Sequence, residues 1–283
     1  MFELLLYFAT SKVFLDLSEE RQFVQWMRIN NVLYTGSEYH LRLGIFLANV
    51  RYAQDYNRRK GLKFRLGANR FSCFTPAEYR AMLGVPSYYK RKVPKPTQTE
   101  TDQPSPDSID WREKGVVNPI RDQGGQCAAG YAFSAIATSE AAYAIKSGNL
   151  LEFSEQNLVD CAIASGCYGG WPEDTLEYVL RRQNGKFNSP ADYPYTAVFG
   201  QCSFSFDKAI GKITEYKYIE MGNENDLRQK VGNNGVASVC ISAGNTIFMS
   251  YTGGIMDNEL CEGARVDHAI NVVGYGTEDG VDY

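Results

Sequence analysis

Few residues of this chain could carry out covalent chemistry. There are two histidines, His40 and His268, and seven cysteines, Cys73, Cys127, Cys161, Cys167, Cys202, Cys240 and Cys261. A thiol at a helix N-terminus with an imidazole beside it is a standard nucleophile and base for acyl transfer. The stretch Gln123–Ser134, QGGQCAAGYAFS, is placed to present such a group, because a run of small residues leads directly into an aromatic helix start. The residue at that junction is Gly130, which has no atom that can attack a carbonyl. His268, in the run Asp267-His268-Ala269, reads in isolation as a general base or as a solvated loop histidine.

The cysteines are too dispersed for a zinc-ligand pattern, so neither a metal nor a cofactor is expected. Their places beside glycine-rich turns suit structural disulfides and an oxidising compartment, while cysteine count alone also allows buried free thiols. A net charge of -4 and a pI near 5.4 argue against nucleic acid as a partner. The one basic cluster, Lys90-Arg91-Lys92, sits in a proline-rich stretch. No apolar run reaches the roughly 18–20 residues needed to span a bilayer. Residues 1–17 read either as an atypical secretory signal, with Leu4–Ala9 apolar but no leading base, or as the first buried turn of a helix.

The elements that must position these groups can be read from periodicity and caps. Ser18 predicts a helix to about Met27, with Glu19 and Glu20 in its first turn and Phe23, Trp26 and Met27 on one face. From Ser37, Glu38, Arg42, Phe46, Asn49, Ala53 and Asn57 recur every three or four residues and line one side of a second helix. Thr75-Pro76-Ala77-Glu78 is a capping box that opens a short helix ending at Gly84. Residues 85–108 hold five prolines and read as an extended, protease-accessible linker. Helices follow over Tyr131–Lys146, after Ser154 and from Pro172, then strands from Lys212, Val236 and His268. Helices before strands predict an α+β unit of two sub-domains around a cleft.

Together these landmarks resemble a papain-family cysteine protease precursor of the cathepsin L-like type. Glu38, Arg42, Phe46, Asn49 and Asn57 match the ERFNIN motif of the family's prosegment, with Ala53 where Ile is usual. Gly67, Asn69 and Phe71 match its GNFD companion, with Cys73 in place of Asp. Ile109-Asp110-Trp111-Arg112 looks like the start of the mature enzyme. SEQNLVDC from Ser154, Gly166–Gly170, Tyr193-Pro194-Tyr195, Asp267–Ala269 and Gly274–Gly276 follow in family order.

The resemblance implies an α+β, papain-like fold of two sub-domains. A helical left domain and an incomplete antiparallel β-barrel right domain would follow a helical propeptide domain. It divides the chain into a possible signal segment at 1–17, an inhibitory propeptide at 18–84, a linker and processing region at 85–108, and a peptidase domain at 109–283. That domain would be truncated, because the Asn-Ser-Trp segment of the family should follow Gly276. The same resemblance puts Gly130 at the vacant nucleophile position, His268 at the general-base position and Gln123 at the oxyanion-hole position. Gln123 stands one residue further from Cys127 than is usual, which leaves its aim open. Gly169, Gly170, Trp171, Pro172, Cys240 and Ala269 match the peptide-binding wall, and the implied disulfides are Cys127–Cys167 and Cys161–Cys202. Cys240 would then be a buried free thiol, with Cys73 and Cys261 left as odd thiols.

Functionally this predicts a papain-like peptidase homologue that is inactive as written and whose cleft binds peptide or protein substrates, inhibitors or its own propeptide. Two alternatives are an active endopeptidase zymogen with an erroneous or incomplete sequence and a prosegment that inhibits proteases in trans. The expected location is the secretory pathway, in lysosomes or outside the cell.

Overall fold

The computed structural model describes residues 17–85, 104–162, 166–257 and 265–283. In chain order the helices are α1 Leu17–Ile29, α2 Gly36–Tyr56, α3 Pro76–Ala81, α4 Gly130–Ser147, α5 Glu155–Cys161, α6 Pro172–Arg182, α7 Glu224–Asn234 and α8 Thr246–Met249. The strands are β1 Phe64–Leu66, β2 Ile109–Asp110, β3 Ala237–Ile241, β4 Tyr251–Gly254, β5 His268–Val272, β6 Gly274–Tyr275, β7 Thr277–Glu278 and β8 Val281–Asp282. They form four antiparallel pairs, β1 with β4, β2 with β6, β3 with β5 and β7 with β8. The chain divides into two units, residues 1–75 with 250–254, and residues 76–249 with 255–283. The Leu4–Ala9 stretch, the Lys90–Lys92 cluster and Cys261 lie outside the described residues.

In the first unit α1 begins at Leu17, one residue ahead of the expected Ser18, and runs on to Ile29. Its buried face, Phe23, Trp26 and Met27, packs with Leu43, Phe46, Leu47 and Cys73. Full burial of Phe23 contributes about 2–3 kcal/mol on an area basis. Paired hydrogen bonds from Arg51 to Glu19, at 2.7 and 2.6 Å, and one from the Tyr39 hydroxyl to Glu20 at 2.8 Å, join α1 to α2 at the surface.

In the second unit a helical half forms around α4. Tyr131, Ala132, Ala135 and Ile136 are fully buried against Phe153, Leu158, Val159, Val179 and Phe187. The alanines let the neighbouring helices approach closely, and Gly148, at φ +76°, ends α4 in the left-handed conformation that a β-carbon would disfavour. Ser154 caps α5 by accepting from the Asn157 amide at 3.0 Å, and Pro172 opens α6.

The strand half meets the other side of α4. β3 pairs with β5 from Ala237 opposite Val272 to Ile241 opposite His268. Ser134 of α4 donates to the Ile270 carbonyl at 2.8 Å and shares a 2.6 Å hydrogen bond with Ser238. Asn271 donates to the Ser134 carbonyl and to the Thr138 hydroxyl. These bonds set the register of β5 on α4 and bring His268 to the N-terminal end of the helix.

Two expectations change. The strand expected from Lys212 does not form: its backbone is held by the Phe187–Ile210 bridge and one bond from Ile213 to the Gly185 carbonyl. That segment docks through side chains instead, with Ile213 buried and the Tyr216 hydroxyl on Glu177 at 3.1 Å. The helix expected to reach Gly84 stops at Ala81, and Met82–Val85 continues as irregular chain within the second unit. The last residues of the expected linker, from Pro104, are also held, since the Tyr275 hydroxyl donates to the Pro106 carbonyl at 2.8 Å.

Candidate active site

Three elements converge on one point. The loop before α4 is pinned by the Cys127–Cys167 disulfide and by a hydrogen bond from the Ala128 amide to the Cys167 carbonyl at 2.9 Å. Gly124, at φ +75° and bonded through its amide to Asp122, makes a tight turn between Gln123 and Cys127. Gln123 is thereby returned to the helix start: its Oε1 lies 3.3 Å from where a β-carbon on Gly130 would stand. The Tyr195 hydroxyl holds the Gln123 carbonyl at 2.9 Å.

His268, the first residue of β5, faces the same point. Its Cε1 and Nδ1 lie 2.6 and 2.9 Å from that β-carbon position, closer than a real β-carbon tolerates. The imidazole therefore occupies space that any side chain at residue 130 would claim. Its Nδ1 is buried and has no hydrogen-bond partner. Burial lowers the His268 pKa from its ordinary value, and the neighbouring Asp267 opposes that shift. Asp267 is itself engaged by the Ala243 and Gly244 amides at 2.7 and 3.0 Å.

Met82–Val85 crosses this site. Gln123 donates through Nε2 to the Met82 carbonyl at 2.7 Å, the Gly170 amide donates to the Gly84 carbonyl at 2.7 Å, and the Val85 amide donates to the Asp267 carbonyl at 3.0 Å. A β-carbon on Gly84 would overlap the Ala128 carbonyl, and one on Gly169 would overlap the Gly84 carbonyl. Only backbone fits at this crossing. The Gln123 side-chain amide and the Gly170 backbone amide are thus both used by the chain's own segment.

The remaining wall positions are only partly drawn together. Trp171 and Pro172 open α6 directly after Gly170, whereas Cys240 and Ala269 are opposed on β3 and β5, with Cys240 half-buried and outside both disulfides. The second disulfide joins Cys161 to Cys202. Sequence reading singled out Gln123, Gly130 and His268 but took Gly84 only as a helix stop.

In the first unit the α2 stripe serves a different purpose. Arg42 pairs with Glu38 at 2.6 Å and donates to the Cys73 carbonyl at 2.9 Å. Asn49 donates to the carbonyls of Ser72 and Phe74, and Asn57 both donates to and accepts from Leu66. Phe46 and Ala53 fill the core between them. Asn69 accepts from the Phe71 amide, while the Trp26 indole donates to the Asn69 carbonyl and the Gly67 amide to the Ser250 carbonyl. Burial pushes the Cys73 thiol up to about 12, so this position carries no charge at physiological pH.

A helix start pinned by a disulfide, with a glutamine and a strand-borne histidine aimed at its first residue, defines a thiol-protease scaffold. The chain belongs to the papain family of cysteine proteases, which residues 105–283 match, while residues 23–79 match the cathepsin propeptide inhibitor domain. It is 36% identical over 289 residues to Cysteine proteinase 3 of Dictyostelium discoideum, covering 98% of this chain and 84% of that protein. It is equally 36% identical to a cathepsin L-like proteinase of Fasciola hepatica, covering 92% and 80%. Among solved structures, digestive procathepsin L2 of Tenebrio molitor matches with a TM-score of 0.84 at 31% identity, over 94% of this chain and 88% of that one. The recombinant stem bromelain precursor matches at 0.82 and 31%, over 93% and 84%. Among the described residues no helix is long and apolar enough to cross a membrane, and no cluster of metal-ligating side chains occurs.

Proposed function

We propose that this chain is a papain-family homologue that holds extended peptide in its cleft without cleaving it. The observation that carries this reading is that the helix start on which His268 and Gln123 converge is Gly130, which has no side chain to attack a carbonyl. Nearby substitutes are engaged: Cys127 is in a disulfide, and the Ser134 hydroxyl is bonded to Ile270 and Ser238. In this reading Gln123 and His268 keep the oxyanion-hole and general-base positions without a thiol to serve. Gly169 and Gly170 pair with peptide backbone, and Trp171, Pro172, Cys240 and Ala269 form the wall beside it.

Residues 18–84 act as the inhibitory propeptide, 85–108 as the processing region and 109–283 as the peptidase-like domain. The cleft partners are the propeptide itself, peptides and protein inhibitors. Two disulfides suit a secretory, lysosomal or extracellular location. The test is hydrolysis of a fluorogenic dipeptidyl amide by acid-treated protein between about pH 4 and 7, the range that brackets ordinary carboxylate and histidine pKa values. No turnover above buffer is expected; turnover abolished by a thiol-directed epoxide would refute inactivity.

One observation favours a second reading, an active endopeptidase whose recorded sequence is wrong at residue 130: Gln123 and His268 remain aimed at that position. Resequencing the transcript separates the two, since a cysteine codon there restores the enzyme and a glycine codon removes this alternative.

A further inference from the structure

Away from the cleft, two carboxylates are buried against one cation. Glu140 of α4 is 1% exposed and Glu155, the first residue of α5, is 3% exposed; Arg121 lies between them. Glu140 is well served. It accepts from Arg121 Nη2 at 2.6 Å and from the Phe153 amide at 2.7 Å, with the Asn118 side chain adding a further hydrogen bond.

Glu155 is less well served: beside Arg121, the hydrogen bond it receives comes from its own backbone amide. Its Oε1 is 2.9 Å from Arg121 Nε but too misaligned to make a hydrogen bond. The other groups facing it add no positive charge: Glu140, Glu152 on the preceding loop, and the Tyr195 phenol. One guanidinium cannot neutralise two buried carboxylates, and an unpaired buried charge is costly enough that the group takes up a proton instead.

We propose that the pair Glu140 and Glu155 together carry one proton, which stays on Glu155, and that its loss makes the helical half of the second unit less stable as solution passes from acidic to neutral pH. This device is independent of whether the cleft cleaves peptides. Burial pushes Glu155 up to about 7 from an ordinary 4.5. Between those values the folded chain holds a proton that the unfolded chain has released. The unfolding constant therefore rises by about tenfold per pH unit over that window, and not outside it. His268 acts in the opposite sense, because its lowered pKa costs stability as pH falls. A difference measurement is therefore required.

The experiment is urea unfolding of the full, disulfide-intact chain across this pH range, for wild type and Glu155→Gln, which mimics the protonated acid. The variant is expected to lose the fall in stability between acidic and neutral pH and to be the more stable protein at neutrality, by at least about tenfold in unfolding constant. An unchanged pH dependence would overturn the proposal. Should the variant fail to fold, carbon-detected NMR titration of wild-type glutamates decides. A carboxyl titrating near neutrality supports the retained proton, and none titrating above about pH 6 refutes it.

Discussion

The α2 stripe of the first unit and the α4 start of the second are both polar sites built on a helix, yet they depend on their side chains in opposite ways. On α2, Arg42 and Asn49 satisfy carbonyls of the irregular chain over Ser72–Phe74, and Asn57 bonds both backbone groups of Leu66 at the end of β1. Removing any of them leaves a carbonyl or amide without a partner. At the start of α4, the surroundings of Gly130 are held by a disulfide, a tyrosine hydroxyl and strand register. A side chain that fold stability does not require can be lost without disturbing the frame around it.

This contrast can be broken by substitution. Phe46→Ala should have the largest effect, since its ring is 1% exposed and meets Phe23 and Trp26; a loss of about 3–5 kcal/mol is expected in the first unit by denaturant unfolding. Asn49→Ala strands the carbonyls of Ser72 and Phe74 and should cost about 2 kcal/mol in the same assay. A cost near zero would show that water serves those carbonyls as well as the amide does.

Gly84→Ala probes the crossing itself. Its β-carbon meets the Ala128 carbonyl, so the segment must lift and release the Gly170 and Val85 amides. Overpacking of about 1–3 kcal/mol corresponds to roughly tenfold to hundredfold faster hydrogen exchange at those two amides. Unchanged exchange there would mean the cleft adapts to a side chain.

The smallest stability effect is expected at Gly130→Cys. The His268 ring must swing aside, but a flexible side chain can do so, and the change should stay within about 1 kcal/mol. Chemically the change is large. A thiol at the start of α4 beside an imidazole should alkylate at neutral pH at least about tenfold faster than Cys73, as read by mass spectrometry. The His268 pKa should rise toward its ordinary value as a thiolate partner replaces an apolar contact, in an NMR titration. Equal alkylation rates would place the residue 130 side chain outside the influence of His268.

Several features were legible in the residues alone. The i, i+3 and i+4 pattern from Glu38 to Asn57, the Ser154 cap, the Gly148 stop and the Pro172 start each depend on neighbours within a turn or two, so local spacing suffices to read them. The strand expected at Lys212 failed for the converse reason: alternating residues describe a surface that suits a strand, but a ladder needs a partner backbone that local sequence does not specify. The misplaced end of α3 has the same origin, because what Gly84 accommodates is the Ala128 carbonyl, far away in sequence.

The sequence by itself determined that residue 130 has no nucleophile, that a histidine follows far downstream, and that a polar helical stripe precedes both. These are facts of residue identity and short-range periodicity. Only the tertiary structure decided that the turn at Gly124 returns Gln123 to the helix start, that the His268 ring occupies the space over Gly130, and that Met82–Val85 takes the cleft's hydrogen-bond donors. It also decided that Glu140 and Glu155 compete for one arginine. Apart from the local Gly124 turn, these are set by contacts between residues well separated in sequence, and it is the packing of α4 against α5 and β5 that closes those distances.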